Sequence, residues 1–188
     1  MSLHTILTPL LIPFSWFYGL IIWIRNSIFD IDLFSVFSSD TPIISIGNLT
    51  VGGTGKTPMV IYLSKLLSSH SLKPGIISRG YGRKSKGFLI VHDGKRLLTD
   101  AKSAGDEPYL IGITLNNVPI AVSENRKIGI QELINLFTLD VIIMDDAFQH
   151  RKVCRSLDLV TISAYDRKDD YHLIPWGKLR EPLSNIKR

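Results

Sequence analysis

The stretch Gly47-Asn-Leu-Thr-Val-Gly-Gly-Thr-Gly-Lys-Thr-Pro58 decides the fold of this 188-residue chain. A short apolar run at 42–46 precedes it, and an apolar-periodic segment at 59–67 follows it. Strand, glycine loop and helix in this order form a phosphate-binding P-loop, in which backbone N–H groups and the positive end of a helix face one anion. The stretch therefore predicts a nucleotide-binding α/β domain.

The P-loop itself supplies the predicted nucleotide contacts, which are Thr50, Val51, Gly52, Gly53, Thr54, Gly55, Lys56 and Thr57. Lys56 is expected to reach the β- and γ-phosphates, and the Thr57 hydroxyl is expected to ligate Mg²⁺. Thr50 stands where the usual motif has its first glycine, but Gly52 and Gly53 keep the loop pliable. The alternative is a glycine-rich turn that ends by chance in Gly-Lys-Thr, and the flanking strand and helix argue against it.

Composition narrows the classes of partner. Apolar residues make up 45% of the chain, which excludes a disordered protein and favours membrane contact. The formal net charge of +5 favours phosphates, acidic lipid head groups or nucleic acid. Nucleic acid is not predicted, because the chain lacks an RNP-like strand, a recognition-helix pattern and zinc-ligand spacing. The single cysteine excludes an intrachain disulfide and fits a reducing compartment.

The N-terminal segment is the second informative feature. Residues 6–24 carry no charge, a length close to that of a bilayer-spanning helix. A signal peptide is disfavoured because basic leading residues and a cleavage site are missing, and a transmembrane helix conflicts with Pro9 and Pro13 in its first half. An interfacial or shallowly inserted helix is favoured. We therefore predict an apolar, membrane-associating helix over residues 1–28 and a P-loop domain over residues 29–188.

Past the P-loop, predicted strands alternate with predicted helices. The expected strands lie at 75–78, 119–122, 140–144 and 157–163, a hairpin turns at Asp93-Gly94, and the expected helices lie at 107–115 and 124–137. Asp106 and Ser123 are the expected helix caps. Strands separated by helices predict an α/β, P-loop NTPase-like fold with a mainly parallel sheet and flanking helices, preceded by the apolar N-terminal helix.

Two acidic sites lie where ligands of a parallel sheet gather, at the carboxyl ends of strands. The apolar run at 141–144 ends in Asp145 and Asp146, which suit a Walker-B type Mg²⁺ site, although both could also be plain loop carboxylates. In Gly105-Asp-Glu-Pro108, Asp106 suits a helix N-cap and also a general base that takes the proton of an attacking hydroxyl. From spacing alone both roles stay open, and both can hold at once.

Two further features are compatible with anion binding. The basic loop at 79–86 places Arg83 and three other cations around Tyr81, which suits phosphates or an anionic head group. The alternative is a solvated loop whose charges serve solubility. His150 lies just beyond the paired aspartates, where a role near the Mg²⁺ ligands or the substrate competes with a structural one.

Together these motifs resemble the tetraacyldisaccharide 4′-kinase family, the lipid A 4′-kinases of Gram-negative envelope biosynthesis. They occur in the family's order: the P-loop at 47–58, Ser-Arg-Gly-Tyr-Gly-Arg at 78–83, Gly-Asp-Glu-Pro at 105–108, Asp-Asp-Ala-Phe-Gln-His-Arg at 145–151 and Leu-Arg-Glu-Pro-Leu at 179–183. The resemblance implies ATP- and Mg²⁺-dependent phosphorylation of the 4′-hydroxyl of tetraacyldisaccharide 1-phosphate, which gives lipid IVA. It also implies a peripheral or shallowly anchored protein on the cytoplasmic face of the inner membrane, with that lipid A precursor and the membrane surface as partners.

The resemblance also implies roles for single residues. Lys56 and Thr57 match the phosphate and metal contacts, Asp145 and Asp146 match the metal-side acidic pair, and Asp106 matches the carboxylate that activates the acceptor hydroxyl. Asp106 and Lys56 are thus the expected catalytic residues. The residues expected to contact the substrate are Tyr81, Arg83, Arg126, His150, Arg180 and Glu181.

One departure from the family bears on activity. Family members are substantially longer and carry a second, C-terminal lobe, whereas this chain ends shortly after Arg180-Glu181-Pro182. A histidine of that lobe, thought to assist the base, has no counterpart here, so we expect ATP binding with poor catalysis by this chain alone. The alternatives are a membrane-attached P-loop ATPase or GTPase switch, and a small-metabolite kinase whose apolar segment is core packing.

Overall fold

The computed structural model of the protein describes residues 3–31 and 33–187. Met1, Ser2, Asp32 and Arg188, which the predicted segments 1–28 and 29–188 include, lie outside the described residues. The helices are α1 (Leu3–Asp30), α2 (Lys56–Ser69), α3 (Ala101–Ala104), α4 (Asp106–Thr114) and α5 (Arg126–Leu136). The strands are β1 (Ile43–Asn48), β2 (Pro74–Ser78), β3 (Leu89–Asp93), β4 (Pro119–Val122), β5 (Val141–Asp145) and β6 (Leu157–Thr161).

The backbone divides into two compact units. The first unit combines the described residues up to Ser35 with Asn48–Thr54 and with the described residues from Val160 onward. The second unit combines Val36–Gly47 with Gly55–Leu159. The P-loop therefore passes from the first unit into the second between Thr54 and Gly55.

A six-stranded sheet in the order β3-β4-β2-β5-β1-β6 organises the fold. β1 pairs with β5, β5 with β2, and β2 with β4, all in parallel, while β3 pairs antiparallel with β4. The predicted mainly parallel α/β sheet is thus confirmed. Because these strands are parallel, the carboxyl ends of β2, β4 and β5 lie at the same edge of the sheet.

Helices cover both faces of the sheet in the second unit. β2 and β5 are buried along their whole length, as expected for parallel strands covered on both sides. Neighbouring residues of a strand point to opposite faces, so Ile76 joins a core cluster that contains α2 and α4 residues, and Ile77 joins another that contains α5 residues. Ile143 and Ile142 divide between the same two clusters, which places β5 in the middle of the core.

Three local predictions were wrong in detail. The Asp93-Gly94 reversal exists and its two arms are hydrogen-bonded, but the second arm forms only a bridge between His92 and Leu97 and not a strand, and β3 also pairs with the distant strand β4. Asp106 is the first residue of α4 and not its cap, because Gly105, at a φ of 93°, ends α3 and begins α4. Asn125 and not Ser123 caps α5, through a bond from the Ile128 N–H to its side chain.

The N-terminal segment forms α1 in the first unit. The helix continues through Pro9 and Pro13, although each proline removes a backbone hydrogen bond and its ring crowds the preceding turn. Ser15 and Ile22 lie buried one heptad apart, while Trp16 and Trp23 are exposed. No helix in the described part of the chain has both the length and the apolar character needed to cross a membrane.

A substitution at Gly47 tests the packing at the end of β1. A Cβ at this position would lie 2.5 Å from the Phe148 Cβ and 2.7 Å from the Phe148 backbone nitrogen. We therefore expect Gly47→Ala to lower the free energy of unfolding by about 1–3 kcal/mol, the usual cost of overpacking. Denaturant titration measures this.

Gly53→Ala is the matched control for Gly47→Ala. A Cβ on Gly53 would have no neighbour within 4 Å, and Gly53 has no positive φ. This control should change the free energy of unfolding little or raise it by about 0.4–1 kcal/mol. Equal stability of the two variants would contradict the packing at Gly47.

Candidate nucleotide and metal site

The first half of the P-loop is held in the first unit by backbone pairing. The Arg180 N–H donates to the Leu49 carbonyl at 2.7 Å, and the Val51 N–H donates to the Lys178 carbonyl at 2.7 Å. Thr50 forms an antiparallel bridge with Leu179 between these bonds. The loop therefore leaves β1 as a short paired strand and not as a free turn.

The loop opens at its glycines. Gly52 has a φ of 117°, a conformation that favours glycine. A Cβ added to Gly52 or to Gly53 would meet nothing within 4 Å. At the loop's end the Thr54 and Thr161 hydroxyl groups hydrogen-bond each other at 2.8 Å. The backbone is thus shaped and unobstructed at the positions where a P-loop contacts phosphate.

The second half of the P-loop begins α2 in the second unit. Gly55, in the left-handed conformation at φ 82°, precedes the helix, and Lys56 is its first residue. The unpaired N–H groups and positive dipole end of α2 favour an anion at this point. The Lys56 ammonium lies 3.4 Å from the Asp146 Oδ1 and its side chain is only 10% exposed. This ion pair joins the P-loop lysine to the end of β5.

Asp145 is a buried carboxylate at the carboxyl end of β5. Its Oδ2 accepts a hydrogen bond of 2.9 Å from the Ser78 hydroxyl at the end of β2. Burial raises the pKa of Asp145 to about 6, although the Ser78 hydrogen bond opposes the shift; Glu107 and Asp146 raise it further. Among the described residues, its Oδ1 has no hydrogen-bond partner. A cation would supply the missing compensation.

These residues fit a Mg²⁺ ion. Asp145 offers an unsatisfied buried oxygen, and Asp146 and Thr57 belong to the same unit. Within residues 3–31 and 33–187 no group of three or more His, Cys, Asp or Glu side chains forms a metal cage. Mg²⁺ does not need one, because it is usually bound through one or two carboxylates together with substrate phosphates and water. Asp145, Asp146 and Thr57 are therefore the residues that would hold it.

Asp146 adopts an uncommon backbone conformation. Its φ of 48° lies in the left-handed region that non-glycine residues rarely occupy. Such strain costs about 1–3 kcal/mol and concentrates at functional sites. At this position the strain turns the carboxylate that follows β5 towards Lys56, which it contacts.

Arg126 is buried beneath this turn. Its guanidinium donates to the Ser123 carbonyl at 2.8 Å and to the Asp145 carbonyl at 3.0 Å, so it bridges the ends of β4 and β5. Burial lowers the pKa of Arg126 to about 10, while the nearby Asp145 and Asp146 carboxylates oppose that shift. The predicted substrate contact of Arg126 stays a prediction, and the hydrogen bonds observed are to the backbone at the ends of β4 and β5.

Asp106 is exposed at the first residue of α4. In the described part of the chain its carboxylate has no hydrogen-bond or ion-pair partner. Gly105, just before it, approaches the basic loop so closely that an added Cβ would lie 2.9 Å from the Tyr81 carbonyl. The Tyr81 side chain is 86% exposed. The start of α4 therefore packs against the backbone of the basic loop, and both the Asp106 and the Tyr81 side chains are exposed.

Arg83 shapes the basic loop from inside. Its guanidinium lies 2.7 Å from the Glu124 carboxylate and also donates to Ser85 Oγ and the Gly87 carbonyl. The side chain is only 3% exposed. A substrate contact for Arg83 stays a prediction, while the observed partners all belong to the protein.

His150 is half-buried just after the acidic turn. Burial lowers the pKa of His150 to about 4, and the cationic side chains of Arg126 and Arg155 add to the shift. The imidazole is therefore neutral at pH 7 and can donate one hydrogen bond and accept another.

Arg180 and Glu181 lie in the first unit. Glu181 is fully buried, with its carboxylate 3.2 Å from an Arg25 guanidinium nitrogen and 2.8 Å from the Asn185 amide. The Arg180 backbone is bonded on both sides, to the Leu49 carbonyl and to the Tyr18 hydroxyl. Substrate contacts for Arg180 and Glu181 stay predictions.

The sequence also matches a known protein family over almost its whole length. The profile of the family described as Tetraacyldisaccharide-1-P 4′-kinase matches residues 7–188. The chain belongs to this family. The match includes the P-loop, Asp106, the acidic turn and the segment of Arg180 and Glu181.

Individual proteins with the family's name are also similar in sequence to this chain. A protein named tetraacyldisaccharide 4′-kinase from Chlorobium phaeovibrioides is 45% identical over 97% of this chain and 52% of its own length. One from Chlorobaculum tepidum is 40% identical over 95% of this chain and 52% of its own length. The chain thus spans about half the length of the curated relatives it matches.

A solved structure confirms the fold of this family member. The structure of LpxK from Aquifex aeolicus, described as an "apo" form in complex with ATP, is 42% identical to this chain. The TM-score is 0.89, and the match covers 100% of this chain and 57% of that one.

Sequence reasoning missed polar residues that support the kinase-family motifs. Ser78, which bonds Asp145, follows the apolar residues of β2, and a polar residue at the carboxyl end of a buried parallel strand is a usable signal. Thr161, which bonds Thr54, ends β6 in the same way. The backbone pairing of Val51 with Lys178 has no local signal, because the two residues are far apart in the chain.

The pKa of His150 predicts a pH dependence of stability in this kinase-family chain. Between pH 6.5, the ordinary value, and about pH 4 the unfolded chain binds a proton at this histidine that the folded chain does not bind. His150 therefore contributes a loss of stability as pH falls through this window. We expect His150→Gln to remove that loss.

Denaturant titrations of wild type and His150→Gln from pH 7 to pH 4 give the test. Asp145 titrates in the opposite sense, since its raised pKa favours the folded state as pH falls, so only the difference between the two proteins is informative. If the free energy of unfolding changed with pH in the same way in both proteins, the imidazole would not be buried and neutral. NMR should place the His150 midpoint near 4.

Proposed function

We propose that the protein transfers the γ-phosphate of ATP to the 4′-hydroxyl of tetraacyldisaccharide 1-phosphate, the reaction that gives its family its name. The observation that carries the proposal is the ion pair between Lys56 and Asp146, which joins a P-loop to a strained acidic turn. P-loop kinases need a lysine and a metal-binding acid beside the transferred phosphate. The family match and the relatives' names support the lipid acceptor.

Nucleotide binding in this proposal uses Thr50 to Thr57. The open backbone at Gly52 and Gly53 gives phosphate oxygens access to N–H groups, and the start of α2 adds its dipole. Lys56 neutralises charge on the β- and γ-phosphates. Mg²⁺ held by Asp145, Asp146 and Thr57 would supply further charge neutralisation.

Asp106 is the proposed general base. Its carboxylate is exposed, so a substrate hydroxyl can reach it. It lies in the first turn of α4, at the positive end of the helix dipole. It accepts the proton of the 4′-hydroxyl as the oxygen attacks the γ-phosphorus, and the phosphoryl group leaves ADP.

The lipid acceptor agrees with the character of α1. Trp16, Phe17, Leu20 and Trp23 are at least half exposed on this helix, and exposed aromatic and aliphatic side chains suit a membrane interface. We infer a peripheral or shallowly anchored protein at the cytoplasmic face of the inner membrane, where ATP is available. Tyr81 and His150 are the side chains of the second unit that we propose for contacts to the sugar or its phosphate.

Lys56→Ala tests the nucleotide site. We expect ATP affinity to fall at least about tenfold, because hydrogen bonds to charged groups contribute about 1.5–3 kcal/mol. Calorimetry with ATP and Mg²⁺ measures the dissociation constant. Lys65→Ala, an exposed lysine on the same helix, is the matched control and should bind ATP as wild type does.

A transfer assay with the same proteins in mixed micelles tests the reaction. Labelled bis-phosphorylated lipid from γ-labelled ATP, absent with Lys56→Ala, is the expected product. ATP binding without product would mean that this chain alone supports only the nucleotide step. Absence of ATP binding would contradict the P-loop assignment. Nucleotide hydrolysis that a partner protein stimulates, without any lipid product, would favour the P-loop switch. Family membership does not favour that alternative.

Asp106→Asn tests the base separately. The amide keeps the shape of the side chain but cannot take the proton, so kcat should fall by about 10²–10⁴-fold. The dissociation constant of ATP should stay unchanged, since Asp106 is not proposed to touch the nucleotide. Glu132→Gln, which neutralises an exposed carboxylate on α5, is the control. An unchanged kcat would remove Asp106 from the mechanism.

A further inference from the structure

A segment far along the chain pairs with the entry of the P-loop. Within the first unit, Leu49 and Val51 exchange backbone hydrogen bonds with Arg180 and Lys178, both 2.7 Å long. The bridge between Thr50 and Leu179 lies between them. The three residues that precede Gly52 are thereby held in an antiparallel pairing, whose register is set by residues 178–180.

The other side of this segment is held by α1. The Tyr18 hydroxyl donates to the carbonyl of Arg180 at 2.8 Å, and the N–H of the same residue pairs with Leu49. Arg25 lies two helical turns further along α1 and pairs with the buried Glu181 carboxylate at 3.2 Å. Tyr18 and Arg25 are seven residues apart, so they project from the same face of the helix.

Ser15 and Lys178 fix the chain just before the residues that pair with the P-loop. The Ser15 hydroxyl donates to the Leu173 carbonyl at 3.0 Å and accepts from the Trp176 N–H at 2.9 Å. Lys178 binds the Asp170 carboxylate at 3.0 Å through its ammonium, and its N–H donates to the Asp170 carbonyl. The strand is therefore held on both sides of its contact with the P-loop.

We propose that Tyr18 and Glu181 are positioning residues that hold residues 178–180 so that Leu49–Val51 keep the P-loop in its nucleotide-binding conformation. The inference rests on the proposed nucleotide binding. A loop that is already ordered loses less conformational freedom when the nucleotide binds, which raises affinity without any new contact to the ligand. Glu181 acts through the chain and not on the substrate, because its carboxylate is fully buried and already paired.

Tyr18→Phe is the sharpest variant, because it deletes one hydroxyl and keeps the aromatic ring. We expect the dissociation constant of ATP, measured without lipid, to rise about twofold to tenfold, the fold-change that matches loss of one hydrogen bond. Glu181→Gln, which removes the charge opposite Arg25, should raise it in the same direction. Ile22→Val is the matched control, since it shortens a buried apolar side chain of the same helix and should leave ATP affinity unchanged.

Hydrogen exchange gives a readout that general destabilisation does not move. The amide protons of Val51 and Arg180 form the ladder, so both should exchange faster in Tyr18→Phe than in wild type when ATP is absent. In Ile22→Val they should exchange no faster, relative to the Ile76 amide of the second unit, than in wild type. Bound ATP should restore slow exchange in Tyr18→Phe.

The outcomes separate this inference from the function itself. If wild type does not bind ATP, the proposed function fails. If wild type binds ATP and both variants bind equally well with unchanged exchange at Val51, the positioning role is wrong. If Glu181→Gln instead raises only the KM for the lipid, Glu181 contacts the substrate and the inference is overturned.

Discussion

The burial of the Asp145 carboxylate constrains the whole second unit. An ionised group removed from water must be compensated by hydrogen bonds or opposite charge. The strands supply this compensation through their order in the sheet: Ser78 ends β2 beside β5, and Arg126 joins the ends of β4 and β5. One oxygen of the carboxylate still has no hydrogen-bond partner among the described residues. The same arrangement that stabilises the sheet edge thus leaves a site suited to a cation.

Elements with a strong local signal could be predicted from the sequence. The glycine loop, the apolar runs of β2 and β5, and the helical periodicity of α2 each depend on residues close in the chain. The second arm of the hairpin is shorter than predicted, with one bridge to β3, while the regular partner of β3 is β4, which is distant in the chain. The helix cap at Asp106 failed because Gly105, at positive φ, ends one helix and begins the next. Tertiary pairing and backbone conformation decide such cases, and neither has a local pattern.

The candidate site also has features that the sequence predicts and features that it does not. The prediction of Lys56, Thr57, Asp145 and Asp146 as site residues rests on their place at strand ends that share one edge of a sheet, and the structure brings Lys56 and Asp146 into contact. Burial could not be predicted, so Arg83, Arg126 and Glu181 were interpreted as ligand contacts from their charge and motif. In the structure all three bind protein groups. Each of these charges is thus compensated within the protein, and the predicted substrate contacts of the three residues stay predictions.

The two faces of α1 differ in their surroundings. Ser15, Tyr18 and Arg25 point to the C-terminal segment, where each makes a polar contact, while Trp16 and Trp23 are exposed. Polar groups bonded to a folded segment cannot enter hydrocarbon without losing those bonds, which costs more than burying the tryptophans gains. The membrane contact that we propose is therefore limited to the exposed face. In the proposed function the exposed face of α1 contacts the membrane, while the opposite face holds the segment that pairs with the entry of the P-loop.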